Sequence, residues 1–416
     1  MNRRSLLLGA AALGACSTMR GGDESFAIIN AKIYPAPDAT PIERGMIVVR
    51  DGRIASFGAD ISAPDGARVI DAGGGAVTAG FWNSHVHVFT HELLHADQKS
   101  DAELTATLTR MLNRWGFTSV FDVASILSNT NNIRQRIRAG AVLGPNVLTV
   151  GEPFFPLNGT PIYIREFLRA ENVSLPEIAS VEQAAAQAQR QIDQGADGLK
   201  LFAGAIVGPP VGVLPMQLDV ARAVVEVAHR VGKPVFAHPS NLAGLNVAIE
   251  SGVDILTHAA AMAGVWGPDL IQRMLSRRMA LTPTLELFEV DRMPGEQPEA
   301  IARDVQTVQG QMAAYARAGG DVLFGTDVGY TQSFDTAREF ALMHGAGFDF
   351  RAILTSLTTA PAARFGFASR KGRIARRMDA DLVVLDGDPG TDLSALSRVR
   401  QTLRGGQVIY DGTQAG

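Results

Sequence analysis

The chain has 416 residues, of which 46% are hydrophobic and 19% are charged, so it is long enough for a large buried core and more than one domain. Lys and Arg total 38 against 42 for Asp and Glu, a net charge of -4 with no basic patch, which argues against nucleic acid as a partner. Because Cys16 is the single cysteine, a disulfide and a thiolate metal ligand are excluded from the mature domain. Any metal must be held by His, a carboxylate or a modified Lys.

The first 22 residues have the pattern of an export signal. A basic start at Arg3-Arg4 precedes an apolar stretch from Leu6 to Leu13 and a run of small residues. The stretch is too short to span a bilayer as a mature helix. Leu13 to Cys16 resembles a bacterial lipobox, with Cys16 as the lipidated residue, although a plain cleavage site remains an alternative. We therefore expect an exported bacterial protein, periplasmic or membrane-anchored, that meets the membrane only through this lipid; Sec and twin-arginine export are both open.

Short apolar or alternating runs separated by turn residues fill residues 23–80 and 366–416. Asp51-Gly52 lies between two of these runs and is typical of a two-residue hairpin turn. Because the two β-rich segments flank a long middle region, they predict one small β-sandwich domain built from both ends of the chain.

Residues 81–365 alternate short apolar runs with amphipathic helical stretches. Strand–helix alternation repeated eight times is the pattern of an α/β fold, and specifically of a (β/α)8 TIM barrel. The eight predicted strand segments are 81–87, 118–123, 146–151, 198–202, 234–238, 254–258, 279–285 and 321–327.

Candidate metal ligands fall at the ends of these segments. His85 and His87 end the first, and their i,i+2 spacing places both side chains on one face of an extended strand. Active sites of such barrels lie at the carboxyl ends of the strands, so ligand-type residues there should converge. Each residue taken alone has a structural explanation, but together they predict a divalent metal site. The further candidates are Lys200, His238, His258 and Asp327.

A competing motif follows four residues after His87. His91, Glu92 and His95 form a complete H-E-x-x-H, which on a helix is the signature of zinc metalloproteases with Glu as the general base. A zincin-like metalloprotease is therefore an alternative function. The motif has no clear third ligand segment, and it leaves the other candidates unexplained.

The sequence resembles the amidohydrolase superfamily, in particular its binuclear prolidase-like and imidazolonepropionase-like members. The resemblance rests on H-V-H, on the segment V-R-D-G-R-I-A-S-F-G, and on T-T-A-P-A-A-R-F-G with M-D-A-D-L-V-V-L-D near the other end. Asn83 stands where the family commonly has Asp, and Phe89 where some members carry Asp. The change at Asn83 removes a charge beside the ligands, so we expect it to tune their orientation.

The resemblance implies two divalent metal ions, most commonly zinc. His85, His87 and Asp327 would hold one ion, and His238 and His258 the other, bridged by a carbamate on Lys200. An unmodified Lys200 would instead imply a single ion, as in deaminase-type or imidazolonepropionase-like hydrolases of cyclic C–N bonds.

The function that follows is hydrolysis of an amide or peptide-type C–N bond by a metal-activated hydroxide, with Asp327 as the catalytic proton carrier. We expect dipeptides or N-acyl amino acids as small-molecule substrates. The expected substrate contacts are Tyr163, Arg165, His91 and His95. A non-catalytic binding scaffold is a further alternative, and the sequence leaves open whether the chain forms a homo-oligomer.

Overall fold

The computed structural model describes residues 25–291 and 296–414. The predicted export signal, with Cys16, lies outside these residues. Within the described ranges, no helix is both long and apolar enough to cross a membrane.

The described chain starts with five strands. They are β1 Phe26–Ile33, β2 Ile42–Arg50, β3 Arg53–Gly58, β4 Arg68–Asp71 and β5 Ala76–Ala79. β1 pairs antiparallel with β2 and parallel with β4 and β5, and β2 pairs antiparallel with β3. The predicted turn between β2 and β3 is confirmed, since Asp51 and Gly52 have φ values of 51° and 70°, the left-handed pair that a tight hairpin requires.

The middle region contains a strand in each of the eight predicted segments. These strands pair in parallel within two sheets, one of three strands and one of five. They are β6 Phe81–Val86, β7 Phe117–Asp122 and β8 Asn146–Thr149 in the first sheet, and β11 Leu199–Phe202, β14 Val235–His238, β15 Ile255–Thr257, β16 Ala280–Thr282 and β17 Asp321–Val322 in the second. Short strands in the connections are β9 Phe155–Pro156, β10 Glu177–Ile178, β12 Gly204–Gly208 and β13 Gly212–Pro215.

Backbone bridges connect the two parallel sheets at both sides. Val86 pairs with Val328 beyond β17, and Phe154 pairs with Leu201 in β11, both in parallel orientation. A buried cluster also takes side chains from strands of both sheets, including Trp82, Phe121 and Phe236. The Phe365 ring packs against all three at centroid distances of 5.7, 4.9 and 6.1 Å.

Helices follow most of the middle strands. Several begin with a side-chain cap; Ser100, for example, forms a capping box with Glu103. The helices are α1 Asp101–Met111, α2 Leu127–Arg138, α3 Arg165–Ala170, α4 Val181–Asp193, α5 Leu218–Arg230, α6 Leu242–Ser251, α7 Pro268–Ser276, α8 Leu287–Val290, α9 Pro298–Arg317, α10 Ala337–Gly345, α11 Phe350–Leu357 and α12 Thr359–Arg364.

The chain returns to its first sheet at the other end. The last described strands are β18 Leu382–Leu385, β19 Val399–Arg404 and β20 Gln407–Asp411. β18 pairs antiparallel with β5, so strands from both terminal segments form one eight-stranded sheet in the order β20-β19-β18-β5-β1-β2-β3, with β4 beside β1. A buried apolar cluster joins the two contributions, for example Ile28 and Ile47 with Leu382 and Leu403.

An ion pair at the start of β18 generates a stability prediction. Asp381 accepts a short hydrogen bond from Lys371 Nζ and a 2.7 Å bond from the Gly405 amide, and both charged side chains are buried. Asp381→Ala leaves the Lys371 ammonium buried with only Asp379, 4.0 Å away, and we expect it to lower the free energy of unfolding by about 2–3 kcal/mol. Urea denaturation followed by circular dichroism measures this loss.

The matched control is Glu250→Ala. Glu250 also pairs with an arginine, Arg273, at 3.3 Å, but both side chains are nearly half exposed. Exposed pairs contribute about 0–1 kcal/mol. Equal losses in the two variants would contradict the prediction.

Candidate metal centre

The histidine pair at the end of β6 meets Asp327 at one end of the parallel strands. Nε2 of His85 and Nε2 of His87 lie 3.1 and 2.8 Å from Oδ1 of Asp327. The ligand-type atoms of these three residues all lie within 4.8 Å of one another, the one such group of three or more among the described residues. Asp327 reaches this position after β17, where its backbone hydrogen-bonds the His85 carbonyl at 2.9 Å and its φ is 62°.

Two further imidazoles continue from this group. The rings of His85 and His258 have centroids 4.4 Å apart, and those of His258 and His238 are 4.8 Å apart. His238 is the last residue of β14, and His258 follows β15 in a left-handed conformation, with φ of 73°. The structure thus places four of the chain's eight histidines in one contiguous row.

Lys200 lines the same cavity from the middle of β11. It is 1% exposed, and its Nζ lies 5.7 Å from the centre of the Phe202 ring. Burial lowers the pKa of the Lys200 ammonium to about 7, while the nearby Asp327 charge opposes that shift. The structure therefore brings together all six residues proposed from the sequence as metal ligands.

Burial keeps the imidazoles of His85, His238 and His258 neutral. It lowers the pKa of His85 to about 4 and that of His238 to about 3, and it lowers the pKa of His258 well below its usual value. Burial alone would raise the pKa of Asp327, but the contacts with His85 and His87 lower it well below its ordinary range. Neutral imidazoles and an ionised carboxylate are the protonation states that bind a metal ion.

Polar atoms left without partners fit a cation at this position. Both ring nitrogens of His85 and Oδ1 of Asp327 are fully buried and lack a well-formed hydrogen bond to any described residue. Buried polar atoms without partners cost about 1–3 kcal/mol each, and a bound divalent ion would satisfy Nε2 of His85 and Oδ1 of Asp327. The donor set of nitrogen and carboxylate oxygen matches zinc and related ions.

Hydrogen bonds to the outer ring nitrogens fix two tautomers. His87 Nδ1 donates to the carbonyl of Ala124 at 3.1 Å. His258 Nδ1 lies 2.7 Å from Thr284 Oγ1, whose hydroxyl donates to the Pro283 carbonyl and therefore accepts from the ring. With Nδ1 donating in both rings, Nε2 is the nitrogen that would ligate a metal ion.

Asp122 is a supporting residue that the sequence reasoning missed. Its buried carboxylate accepts from the backbone amide of Val88 at 3.0 Å, from Thr149 Oγ1 at 2.6 Å and from the hydroxyl of Ser125. It thereby ties the residue after His87 to β7 and β8. In the sequence, the sign of this role was that Asp122 is the single charged residue of the predicted strand segment 118–123.

Asn83 connects the two parts of the His–His–Asp group. Its Oδ1 accepts from the backbone amides of His85 and Thr326, both at 3.2 Å, and its Nδ2 donates to Thr326 Oγ1 at 2.7 Å. The same hydroxyl accepts from the Val328 amide. Asn83 therefore holds β6 against the segment that carries Asp327.

A cavity of about 550 Å³ opens beside these residues, and two of the four expected substrate contacts line it. Tyr163 and His91 line it, as expected. Arg165 does not, because its Nε donates to the carbonyl of Thr160. His95 lies outside as well, in a second depression next to Asp97. The expectations for Arg165 and His95 are thus corrected by the conformation of their loops.

The H-E-x-x-H segment does not form the helix that a zinc protease requires. Residues 91–95 form turns, so the i,i+4 relation does not place the two histidines on one helical face. His91 is 80% exposed and pairs with Glu171 at 2.8 Å, whereas His95 lines the other depression. The zincin-like alternative is therefore wrong.

Comparison with known proteins agrees with this geometry. The Amidohydrolase family model matches residues 76–409. Ochratoxinase from Aspergillus niger is 24% identical over 422 residues, covering 92% of this chain and 86% of the relative. Among solved structures, a Xaa-Pro dipeptidase with bound methionine superposes with a TM-score of 0.78 at 21% identity, covering 93% of this chain and all of the other. A putative prolidase from Bifidobacterium longum has a TM-score of 0.78 at 25% identity, covering 93% and 95%.

Since the family model spans most of its length, the chain belongs to the amidohydrolase family. It is a hydrolase that acts on carbon–nitrogen bonds, and it has the metal dependence of that family. These findings contradict the alternative of a non-catalytic scaffold.

The Asn83 contacts generate a prediction about metal binding. Asn83→Ala leaves two backbone amides and a hydroxyl without their partner, so we expect His85 and Asp327 to shift relative to each other. The affinity for zinc should therefore fall about 10–100-fold. Competition of the apoprotein with a chromophoric chelator measures this affinity.

The control is Asn83→Asp. A carboxylate keeps the acceptor for both amides, and the Thr326 hydroxyl can rotate to donate to it, so we expect zinc affinity within a few-fold of the original. A loss in Asn83→Asp as large as that in Asn83→Ala would contradict the positioning role.

Proposed function

We propose that the chain is a binuclear zinc amidohydrolase that cleaves dipeptides or N-acyl amino acids. The observation that carries the proposal is the contiguous row of His87, Asp327, His85, His258 and His238 with the buried Lys200 beside it. In this proposal His85, His87 and Asp327 hold one ion, and His238 and His258 the other.

Lys200 is proposed to bridge the two ions as a carbamate. An ammonium cannot ligate a cation, whereas a buried lysine amine in its neutral form can react with carbon dioxide to give an anion. The complete burial of Lys200 and its position at the cavity favour that form. The carbamate would also offset charge where two divalent ions meet neutral imidazoles.

The same proposal includes the architecture around the site. We propose that the two parallel sheets form one (β/α)8 barrel, supported by the bridges at Val86–Val328 and Phe154–Leu201 and by the cluster around Phe365. The eight-stranded sheet would form the accompanying small β-sandwich domain, from residues 23–80 and 366–416. Barrel sites at the carboxyl ends of the strands agree with the positions of the six residues.

The bound ions would lower the pKa of a water toward about 7 and polarise the scissile carbonyl. Asp327 is placed to accept the proton released from that water, because its carboxylate is buried, ionised and within reach of both β6 histidines. It then delivers the proton to the departing amine.

The choice of peptide-type substrates is supported by the relatives. A Xaa-Pro dipeptidase and a prolidase share the fold, and an ochratoxinase is similar over most of the chain. Screening the zinc-loaded enzyme against dipeptides and N-acyl amino acids tests the proposal, and we expect turnover in at least one of these two series. Turnover confined to lactones or cyclic imides would overturn the choice of substrate.

The role of Lys200 generates a separate prediction. We expect two zinc ions per wild-type chain after reconstitution with bicarbonate, and one per chain in Lys200→Met, which keeps an apolar chain of similar length but cannot form a carbamate. Hydrolysis should fall by at least about 100-fold, since an electrostatic contribution of this kind is lost. Elemental analysis of the purified protein measures the stoichiometry.

Lys233→Met serves as the control, because Lys233 is a partly exposed lysine that pairs with Asp197 at 3.8 Å and does not line the cavity. It should keep two ions. A single ion in the wild-type chain, unaffected by bicarbonate, would contradict the carbamate and favour the mononuclear, imidazolonepropionase-like or deaminase-like alternative.

We also propose that the protein is exported and anchored by a lipid on Cys16. The support is the leading sequence alone, with its Arg3-Arg4 start, apolar stretch and lipobox-like segment.

A further inference from the structure

The cavity wall near the metal centre carries a pair of aromatic side chains. Phe89 lies two residues after His87, in the loop that follows β6, and Phe167 belongs to α3. Their ring centroids are 5.1 Å apart at an interplanar angle of 63°, an edge-to-face contact. Both side chains line the cavity and are only partly buried.

The two segments that present this pair are also joined by a polar contact. His91 Nδ1 lies 2.8 Å from Oε1 of Glu171, one residue beyond α3. The loop after β6 is therefore tied to the α3 segment at two points, the aromatic contact and this hydrogen bond. A wall held at two points is preorganised, which reduces the ordering cost when a ligand binds.

The cavity also contains other apolar side chains. Ile164 and Leu175 line the same cavity, and Phe155 packs against Phe202 with centroids 4.7 Å apart. Partly exposed apolar side chains inside a cavity gain free energy when an apolar ligand removes them from water. An edge-to-face pair also offers a ring face or edge on which a third ring can pack.

We propose that Phe89 and Phe167 form an aromatic subsite that selects amide substrates carrying an aromatic ring next to the scissile bond. The inference rests on the proposed function for the reaction, while recognition of the ring belongs to these two side chains. Neither ring can ligate a metal or carry a proton, so the pair determines substrate choice and leaves the chemical step to the metal centre.

Three N-acyl amino acids test the subsite by their kcat/KM values. N-benzoyl-L-alanine carries a ring on the acyl side, N-acetyl-L-phenylalanine carries one on the amine side, and N-acetyl-L-alanine carries none. We expect the wild-type enzyme to prefer one of the two ring-bearing compounds over N-acetyl-L-alanine by at least about tenfold. Phe89→Ala and Phe167→Ala should each remove most of that preference, measured in each variant as the ratio of kcat/KM for the preferred ring-bearing compound to kcat/KM for N-acetyl-L-alanine.

Two further variants control the interpretation. Phe167→Leu keeps apolar bulk without the ring, and it should retain part of the preference even if an alanine variant fails to fold. Val265→Ala changes a 90% exposed apolar residue that does not line the cavity, and it should leave the preference intact. The double variant should lose less than the sum of the single losses, since the two rings are in contact.

A binding measurement separates this inference from the proposed reaction. Calorimetry of the zinc-loaded protein with benzohydroxamate and acetohydroxamate should give a dissociation constant about tenfold lower for the ring-bearing probe, and Phe89→Ala should abolish the difference. Ring preference in binding without amide turnover would overturn the proposed function and support the subsite. Amide turnover with no ring preference, or with a preference that survives in Phe89→Ala and Phe167→Ala, would overturn the subsite.

Discussion

The site depends on a buried carboxylate facing two imidazoles. Asp327 is 2% exposed, and its Oδ1 has no well-formed hydrogen bond within the described chain, yet it lies within 3.1 Å of both His85 and His87. An ionised carboxylate in that environment carries a desolvation cost that neutral imidazoles offset only in part. A divalent cation would offset the desolvation cost of this carboxylate, so folding and metal binding are expected to stabilise each other.

The backbone around the Asp327 carboxylate has unusual dihedral angles. His258, Thr284 and Asp327 all have positive φ values, between 46° and 73°. Residues other than glycine in this conformation cost roughly 1–3 kcal/mol each and persist only where the surrounding structure holds them. Here the restraints are the Asn83 bridge and the Thr284 hydroxyl, which accepts from His258. These strained conformations orient the side chains toward the candidate site at positions just beyond the ends of the strands.

The sequence predicted the strands and the convergence of the candidate residues well, because both follow from local patterns. His85 and His87 lie in or next to a strand with period-two spacing, and His238 ends another, so their position needs only the parallel order of the strands. The roles of Asp122 and Thr284 were not predicted, because each side chain forms a hydrogen bond with a residue that follows a different strand. Arg165 and His95 were misplaced because loop conformation depends on partners, such as the Thr160 carbonyl, that no periodic pattern indicates.

Pairing β5 with β18 has a consequence for biosynthesis. Ala79 at the end of β5 finds its partner, Leu382, only after almost the whole chain has been made, so the sheet has a high contact order and its closure is expected to be slow. Until then β5 presents an unpaired apolar edge, of the kind that joins other chains and aggregates. A nascent or truncated chain lacking β18 would therefore depend on holding factors in the cell to stay soluble, although all six candidate metal ligands had already been synthesised.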